Sequence, residues 1–386
     1  CGHSVGIGLR MSDTTTRGNA YLTPGAVVGI VGGGQLGRMM AIAASRLGFF
    51  TAVLSPDVNA PAVQVSHRHI KGDYDNRRAL SELTERADVL TYELEQIPLE
   101  GMQWVSENAY LAPNIYALDV SQDRVQEKAF LNSNGVPTTA WKECRNVADV
   151  KTALSEFACD SILKVAFGGY DGKGQEKILR DAGASDIAKI WDRLSLGQEM
   201  VTILEATVDF DCEISVVVAR DKAGNVVPYD PVRNHHENHI LATTVVPAGI
   251  DPAIGEKAQT LAKTVASALE YVGVMCLEMF VTTDGELLAN EIAPRPHNSG
   301  HWTLDACFID QFEQHIRAIC GLPLGSGKRF ADATMQNILG TEREKVGLYF
   351  PNHNARVHLY GKEEWRPGRK MGHVTILDRL LCDPAA

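Results

Sequence analysis

One stretch narrows the possible folds more than any other: Gly273 to Thr303, GVMCLEMFVTTDGELLANEIAPRPHNSGHWT. Two apolar-rich segments, 274–281 and 286–293, flank Thr-Asp-Gly, and Asp and Gly tolerate the positive φ of a tight hairpin turn. With Asp284 and Gly285 as the loop, Glu278 falls opposite Glu291 on one face, their Cβ atoms roughly 5 Å apart. Two bare carboxylates so placed repel, so the spacing predicts a cation between them. Hard oxygen donors suit Mg²⁺, whose shell is completed by water and phosphate. The alternative is a pair of solvated glutamates, but the neighbouring Pro, His and Asn residues favour a site.

Upstream, 26–31 reads as a buried strand running into Gly32, Gly34 and Gly37 of a GxGxxG pattern, then a helix over 38–47. A second strand over 51–54 ends near Asp57. Taken alone this is the dinucleotide fingerprint, with phosphate on backbone amides at a helix N-terminus. The physics asks only for an anion, so the same loop could take a mononucleotide's phosphate. A third strand, 88–92, delivers Glu93 and Glu95 to its C-terminal end, where open α/β sheets bind ligands. Ser121 is the expected cap of a helix running to Leu131, on which Lys128 reads as a solvated side chain.

The strand 161–166 carries Lys164 and runs into Gly168, Gly169, Tyr170, Asp171, Gly172, Lys173, Gly174 and Gln175, a mobile backbone whose amides can wrap phosphates. It lacks the GxxxxGK[ST] of a Walker loop. Strands follow at 200–204 and 213–220. Their junction is a natural place to hold an adenine, with Glu213 able to accept from ribose hydroxyls. The segment Asn234 to His239 holds three histidines, but Glu237 and His239 are too close for HExxH, so a surface loop is expected. A helix over 254–271 should pack under the hairpin, and 308–320 is an amphipathic helix. Near the end, Lys362, Arg366, Arg369 and Lys370 cluster between two strands and await a carboxylate or phosphate.

The chain has 386 residues, enough for two or three domains, and the apolar and charged fractions, 45 % and 22 %, of an ordinary globular protein. A net charge of −11 argues against nucleic acid or anionic lipid as partner. Eight cysteines without a CxxC pair predict free thiols in a reducing compartment rather than disulfides or zinc. No apolar run approaches the ~18 residues of a membrane span. Residues 1–24 read as a flexible arm, and the absence of Met at position 1 as a processing or expression remnant.

Together these pieces resemble the ATP-grasp enzymes, and among them the N5-carboxyaminoimidazole ribonucleotide synthetases of purine biosynthesis. The resemblance runs from about Val27 to Ile376. Its motifs are GGGQLGRM at 32–39, TYELE at 91–95, GGYDGKGQ at 168–175, FDCEIS at 210–215, the Glu278 and Glu291 hairpin, APRPHNSGHWT at 293–303 and RPGRKMGH at 366–373. Leu94 and Gln96 stand where the family often has Phe and Asn. The implied fold is α/β and α+β: a Rossmann-like N-terminal domain over 25–122, an ATP-grasp lid over 123–204, and a large domain over 205–386 ending in the basic strand region.

The resemblance also implies roles. Lys128, Lys164, Gly169, Tyr170, Gly172, Gly174, Gln175 and His236 would contact ATP, Glu205 the adenine at the hinge, and Glu213 the ribose. Glu278 and Glu291 would bind Mg²⁺. The substrate, 5-aminoimidazole ribonucleotide, would lie against Gln35, Glu93, His297 and Asn298, with Lys362 and Arg369 on its phosphate. Asp171 and Lys370 would stand nearest the reacting centre. Bicarbonate would be activated by ATP as carboxyphosphate in a cytoplasmic homodimer. The competing readings are a formyl-transferring or biotin-carboxylating relative, a nicotinamide-dependent oxidoreductase resting on the glycine loop and Asp57, and a silent nucleotide sensor.

Overall fold

The computed structural model describes residues 21–168, 174–195 and 200–381. The apolar run VVGIV allows no solvated face, so it must be covered on both sides, as parallel sheets are. It forms β1 (Val27–Val31), followed by α1 (Gln35–Arg46), β2 (Phe50–Ser55), β3 (Arg68–Lys71), α2 (Arg77–Arg86) and β4 (Val89–Tyr92). The four strands make a parallel sheet in the order β3-β2-β1-β4. Two helices, α3 (Leu99–Asn108) and α4 (Ile115–Gln122), complete this unit. The expected arm does not extend to its stated end, because Leu22 N–H donates to the Cys320 carbonyl at 2.8 Å. Residues 1–20 lie outside the described residues.

The helix expected to start from Ser121 is two helices. Asp123 breaks the run and caps α5 (Arg124–Ser133), its carboxylate accepting from the Val125 and Gln126 amides, while the Ser121 hydroxyl donates back to Leu118. An Asp at an N-cap meets two orphan amides at once, which Ser cannot match in charge. A small antiparallel sheet follows, in the order β5-β8-β6-β7. It comprises β5 (Trp141–Cys144), α6 (Val147–Phe157), β6 (Ser161–Val165), β7 (Gln175–Ile178), α7 (Ala184–Ser195) and β8 (Thr202–Ala206). Its own core holds Val150, Leu154, Leu163, Ile178 and Leu204. The boundary expected at 204/205 falls inside β8, so Glu205 belongs to this sheet.

The rest is one antiparallel sheet of nine strands. Its first half has β9 (Phe210–Arg220), β10 (Val226–Pro228), β11 (Val232–Glu237), β12 (Ile240–Val246), β13 (Gly273–Thr282) and β14 (Leu287–Ala293), with α8 (Pro252–Ala268) packed on it. After α9 (Thr303–Ala306) and α10 (Gln311–Ile319), the strands β15 (Ala331–Leu339), β16 (Ala355–Leu359) and β17 (Lys370–Leu380) extend the same sheet, with α11 (Val346–Tyr349) between β15 and β16. The segment 234–239, expected as a surface loop, is mostly strand: β11 and β12 pair through a turn at Asn238 and His239, both at positive φ.

Helix α10 joins this sheet to the first unit. Phe312 and Ile316 share a core with Val28, Ile30 and Met40. The buried His315 bridges the two sheets: Val274 N–H donates to its Nδ1 at 3.1 Å, and its Nε2 lies 2.9 Å from Thr91 Oγ1. Burial lowers its pKa to about 3. The neutral ring therefore takes a bond from β13 and gives one to β4, tying the two sheets together.

Candidate active site

The hairpin forms as β13 and β14, and Glu278 does pair with Glu291. The route differs from the expected one. Thr282 N–H donates to the Glu286 carbonyl and Gly285, at φ +83°, closes a three-residue loop rather than a two-residue one. That shifts the register by one until a bulge beside Met279, where Asn290 is the extra residue, shifts it back. The bulge leaves carbonyls of β14 turned out of the ladder, and the Lys128 ammonium donates to that of Asn290 at 2.7 Å.

Around this pair opens a cleft of about 1170 Å³ between the three sheets. Of the residues expected to act, Gln35, Glu93, Lys164 and Gln175 line it from the first two units. Glu213, His236, Glu278, Glu291, His297 and Asn298 line it from the large sheet, and Lys362, Arg369 and Lys370 from its C-terminal part. Gly169, Tyr170, Asp171 and Gly172 lie outside the described residues, and Gly174 does not line the cleft.

Several assignments change. Lys128 is neither solvated nor on the cleft wall: it is 1 % exposed and held between the β14 carbonyls and Glu205, 3.5 Å away. Glu205, expected at the hinge beside the adenine, is a buried counter-ion, 3.1 Å from Lys164. Burial alone would raise its pKa, yet Lys128 and Lys164 hold it below the ordinary carboxylate range. Burial lowers Lys164, against Glu205. Two cations sharing one carboxylate leave positive charge at the cleft floor, where a phosphate would be welcome.

The glycine loop is also occupied. Gly34 and Gly37 N–H groups donate to the two oxygens of Glu93, the second at 2.9 Å. A Cβ on Gly34 would stand 2.5 Å from Glu93 Oε1, and one on Gly32 2.3 Å from its Cγ. The glycines thus make room for a carboxylate of the chain itself, and neither a pyrophosphate nor a substrate phosphate finds those amides free. Burial raises the Glu93 carboxyl above its ordinary range, against the two amides and the Arg295 and Lys362 charges.

Opposite, burial and the Glu291 charge push Glu278 up to about 8, against His236 and Lys370. Arg124 lies 3.4 Å from Glu291. His236, expected by the phosphates, sits 2.5 Å from Glu213. Burial disfavours its charged form but Glu213 wins, so its pKa rises. His297, expected on the substrate, is engaged at both ring nitrogens, by Ser299 Oγ at 2.8 Å and Glu278 Oε1 at 3.1 Å. Asn298 is the reverse case: both polar atoms of its side chain are buried without a hydrogen-bond partner among the described residues. A buried amide with neither atom paired calls for a partner from outside the chain, water or ligand. Lys362 donates to the Lys370 carbonyl at 2.7 Å, and burial beside Arg369 lowers its pKa to about 8.

Residue-by-residue reading of the sequence missed Arg124, Glu127 and Arg295. Arg295 makes a two-pronged ion pair with Glu95, one arm at 2.8 Å. Glu127 accepts from the Ile292 N–H at 2.5 Å behind the metal-type carboxylates. Helix position flagged none of them; the DRxxEK spacing at 123–128 would have placed Arg124 and Glu127 one turn apart, with Lys128 beside Glu127, had a partner strand been in view.

Among the described residues, Asp305, His358 and His373 form a group of metal-type side chains within mutual reach. The two imidazoles stack at 4.6 Å and 15°. Tyr360 Oη on His373 and Asp305 on His358 complete a partly buried hydrogen-bonded cluster. The six described cysteines are free, and among the described residues no helix is long and apolar enough to cross a membrane.

Three families match successive parts of the chain: the ribonucleotide synthetase preATP-grasp domain over residues 26–122, the ATP-grasp domain over 129–312, and the phosphoribosylaminoimidazole carboxylase C-terminal domain over 333–381. The N5-carboxyaminoimidazole ribonucleotide synthase of Brucella melitensis is 47 % identical over 354 residues, covering 92 % of this chain and 97 % of that protein. A solved N5-carboxyaminoimidazole ribonucleotide synthetase in complex with ADP superposes with a TM-score of 0.88 at 42 % identity, covering 93 % of this chain and 94 % of that one. The Aspergillus clavatus enzyme in complex with ADP and 5-aminoimidazole ribonucleotide gives 0.85 at 30 % identity, over 93 % and 95 %. The chain belongs to the N5-carboxyaminoimidazole ribonucleotide synthase family of ATP-grasp enzymes.

Proposed function

We propose that this chain is an ATP-dependent ligase that carboxylates the exocyclic amine of 5-aminoimidazole ribonucleotide with bicarbonate, releasing ADP and phosphate. The observation that carries the reading is the sorting of charge in one cleft. Paired glutamates of the hairpin and Lys164 of the small sheet face it, and Lys362, Arg369 and Lys370 stand at its C-terminal wall. The first group suits a triphosphate and its cation, the second a ribonucleotide phosphate.

Bicarbonate is a poor electrophile, and attack of its oxygen on the γ-phosphate of ATP turns it into carboxyphosphate. Phosphoryl transfer needs charge neutralisation and in-line positioning more than covalent help. Lys164 neutralises from the floor, with Glu205 holding it in place. Glu278 and Glu291 would hold Mg²⁺: their oxygen donors fit that ion, and the two carboxylates face each other across the hairpin on the cleft wall. When bound, the ion supplies charge neutralisation at the transferring phosphoryl group. Two protein carboxylates suffice where phosphates and water complete the shell.

The small sheet, expected over 123–204, acts as a lid that excludes water while carboxyphosphate or the CO₂ from it meets the amine. Asp171, in the glycine-rich segment, accepts or relays the amine proton, with Lys370 near the reacting centre. Loss of carboxylation with retained ATP binding in Asp171→Ala supports that role, and unchanged turnover removes it. Glu93, pinned by two amides, turns its remaining lone pairs toward the substrate's donors, and Asn298 offers both a donor and an acceptor. A cytoplasmic homodimer belongs to the same reading, supported by the scattered cysteines and the family.

The test is ADP formation measured with and without 5-aminoimidazole ribonucleotide, offering bicarbonate or formate. Dependence on bicarbonate and the ribonucleotide together is expected. Formate dependence would assign a formyl-transferring chemistry, and no ADP under either condition would return the nucleotide-sensor reading.

A further inference from the structure

Six buried or near-buried polar side chains, from four strands and the turn after β14, stand in single file. Thr244 Oγ1 donates to Asn234 Oδ1 at 3.0 Å, and Asn234 Nδ2 donates to Ser215 Oγ at 3.0 Å. Ser215 Oγ donates to Ser299 Oγ at 2.7 Å, and Ser299 Oγ lies 2.8 Å from His297 Nδ1. The file ends where His297 Nε2 meets Glu278 Oε1 at 3.1 Å. Thr244, Ser215 and Ser299 are fully buried, so no water competes for these bonds.

The file has a direction. A hydroxyl carries one proton, so Ser299, which receives from Ser215, has its own proton to give to His297. The Ser299 backbone N–H also points at His297 Nδ1, 3.4 Å away, and an amide can only donate. Nδ1 is therefore an acceptor from two sides, and the ring proton sits on Nε2, facing the Glu278 carboxylate.

We propose that His297 is a positioning residue: the one-way file from Thr244 through Asn234, Ser215 and Ser299 fixes its ring with Nε2–H on Glu278 Oε1. This holds the other carboxylate oxygen toward the cleft for a divalent cation. The inference rests on the metal-binding reading of Glu278 and Glu291 and deepens it. Outer partners of ligand side chains commonly govern metal affinity by about 10- to 100-fold. The sequence offers the reason for Ser at 215 and 299: a hydroxyl is the smallest group that can take one hydrogen bond and pass one on.

The test counts free Mn²⁺ by electron paramagnetic resonance in the presence of ADP, and reads the His297 tautomer from ¹⁵N-histidine spectra. The native chain should bind Mn²⁺ with ADP and show Nε2–H. Ser299→Ala should weaken Mn²⁺ binding about 10-fold and mix the tautomers. His297→Leu should weaken it further, whereas His297→Gln, whose amide nitrogen can reach the place of Nε2, should stay within about threefold of native. A folded Ser299→Ala and a folded His297→Leu that both bind Mn²⁺ like the native chain would overturn the proposal, as would an Nδ1–H tautomer. A native chain that binds no Mn²⁺ with ADP would instead overturn the metal reading beneath it.

Discussion

Glu127 is fully buried behind the carboxylate pair, with one oxygen on the Ile292 amide. Burial pushes its pKa up to about 8; Lys128 opposes the shift and Glu291 adds to it. A carboxyl raised in the folded state binds its proton more tightly there than in the unfolded chain. Its contribution is therefore complete below the ordinary value near 4.5 and is lost as the pH rises through about 8. Glu127→Gln keeps an acceptor for Ile292 but cannot ionise. The variant should lose less stability than the native chain between pH 5.5 and 8, by up to about 3 kcal/mol. Melting curves at the two pH values check this, and an identical pH slope in both proteins contradicts it. At the glycine loop, Glu93→Ala strands the Gly34 and Gly37 amides at a cost of about 1–3 kcal/mol. It should lower the melting temperature and raise the KM for the ribonucleotide more than that for ATP; an unchanged KM ratio contradicts the substrate role of Glu93.

At the scale of elements, the bulge in β14 and the lysine on α5 are one device. The extra residue, Asn290, turns a carbonyl out of the ladder, and Lys128 crosses from the helix to take it while also facing Glu205 of β8. Three elements are tied at one ammonium. Lys128→Met keeps the buried stem but leaves the Asn290 carbonyl and part of the Glu205 charge unpaired. It should cost about 1–3 kcal/mol, read as a lower melting temperature, and should loosen the small sheet, read as faster amide exchange in β8 than in β12. Equal exchange in the two strands contradicts the tie. Two apolar-rich segments around Thr-Asp-Gly are written in the sequence, so the strands of the hairpin were legible. The bulge was not, because a one-residue excess leaves no mark except in the partner strand. The pairing survived only because an equal and opposite misreading of the turn cancelled it.

Across the whole molecule, what the sequence conceals is partnership at long range. Glu93 and the glycines it caps lie 59 and 56 positions apart, and Glu95 and Arg295 lie 200 apart. No local pattern distinguishes a carboxylate that will close a loop from one that will meet a substrate. The parallel run of β1, the hairpin around Asp-Gly and the basic tail were readable because each satisfies a local rule, of burial, of turn chemistry or of like charge. In the proposed reaction, the cleft they enclose passes an oxygen of bicarbonate to the γ-phosphate of ATP. The most direct measurement is turnover with ¹⁸O-bicarbonate and 5-aminoimidazole ribonucleotide, followed by ³¹P spectra of the released phosphate. One ¹⁸O atom in that phosphate is the predicted result, since the carboxyphosphate oxygen leaves with phosphorus; phosphate free of label from bicarbonate would contradict the account.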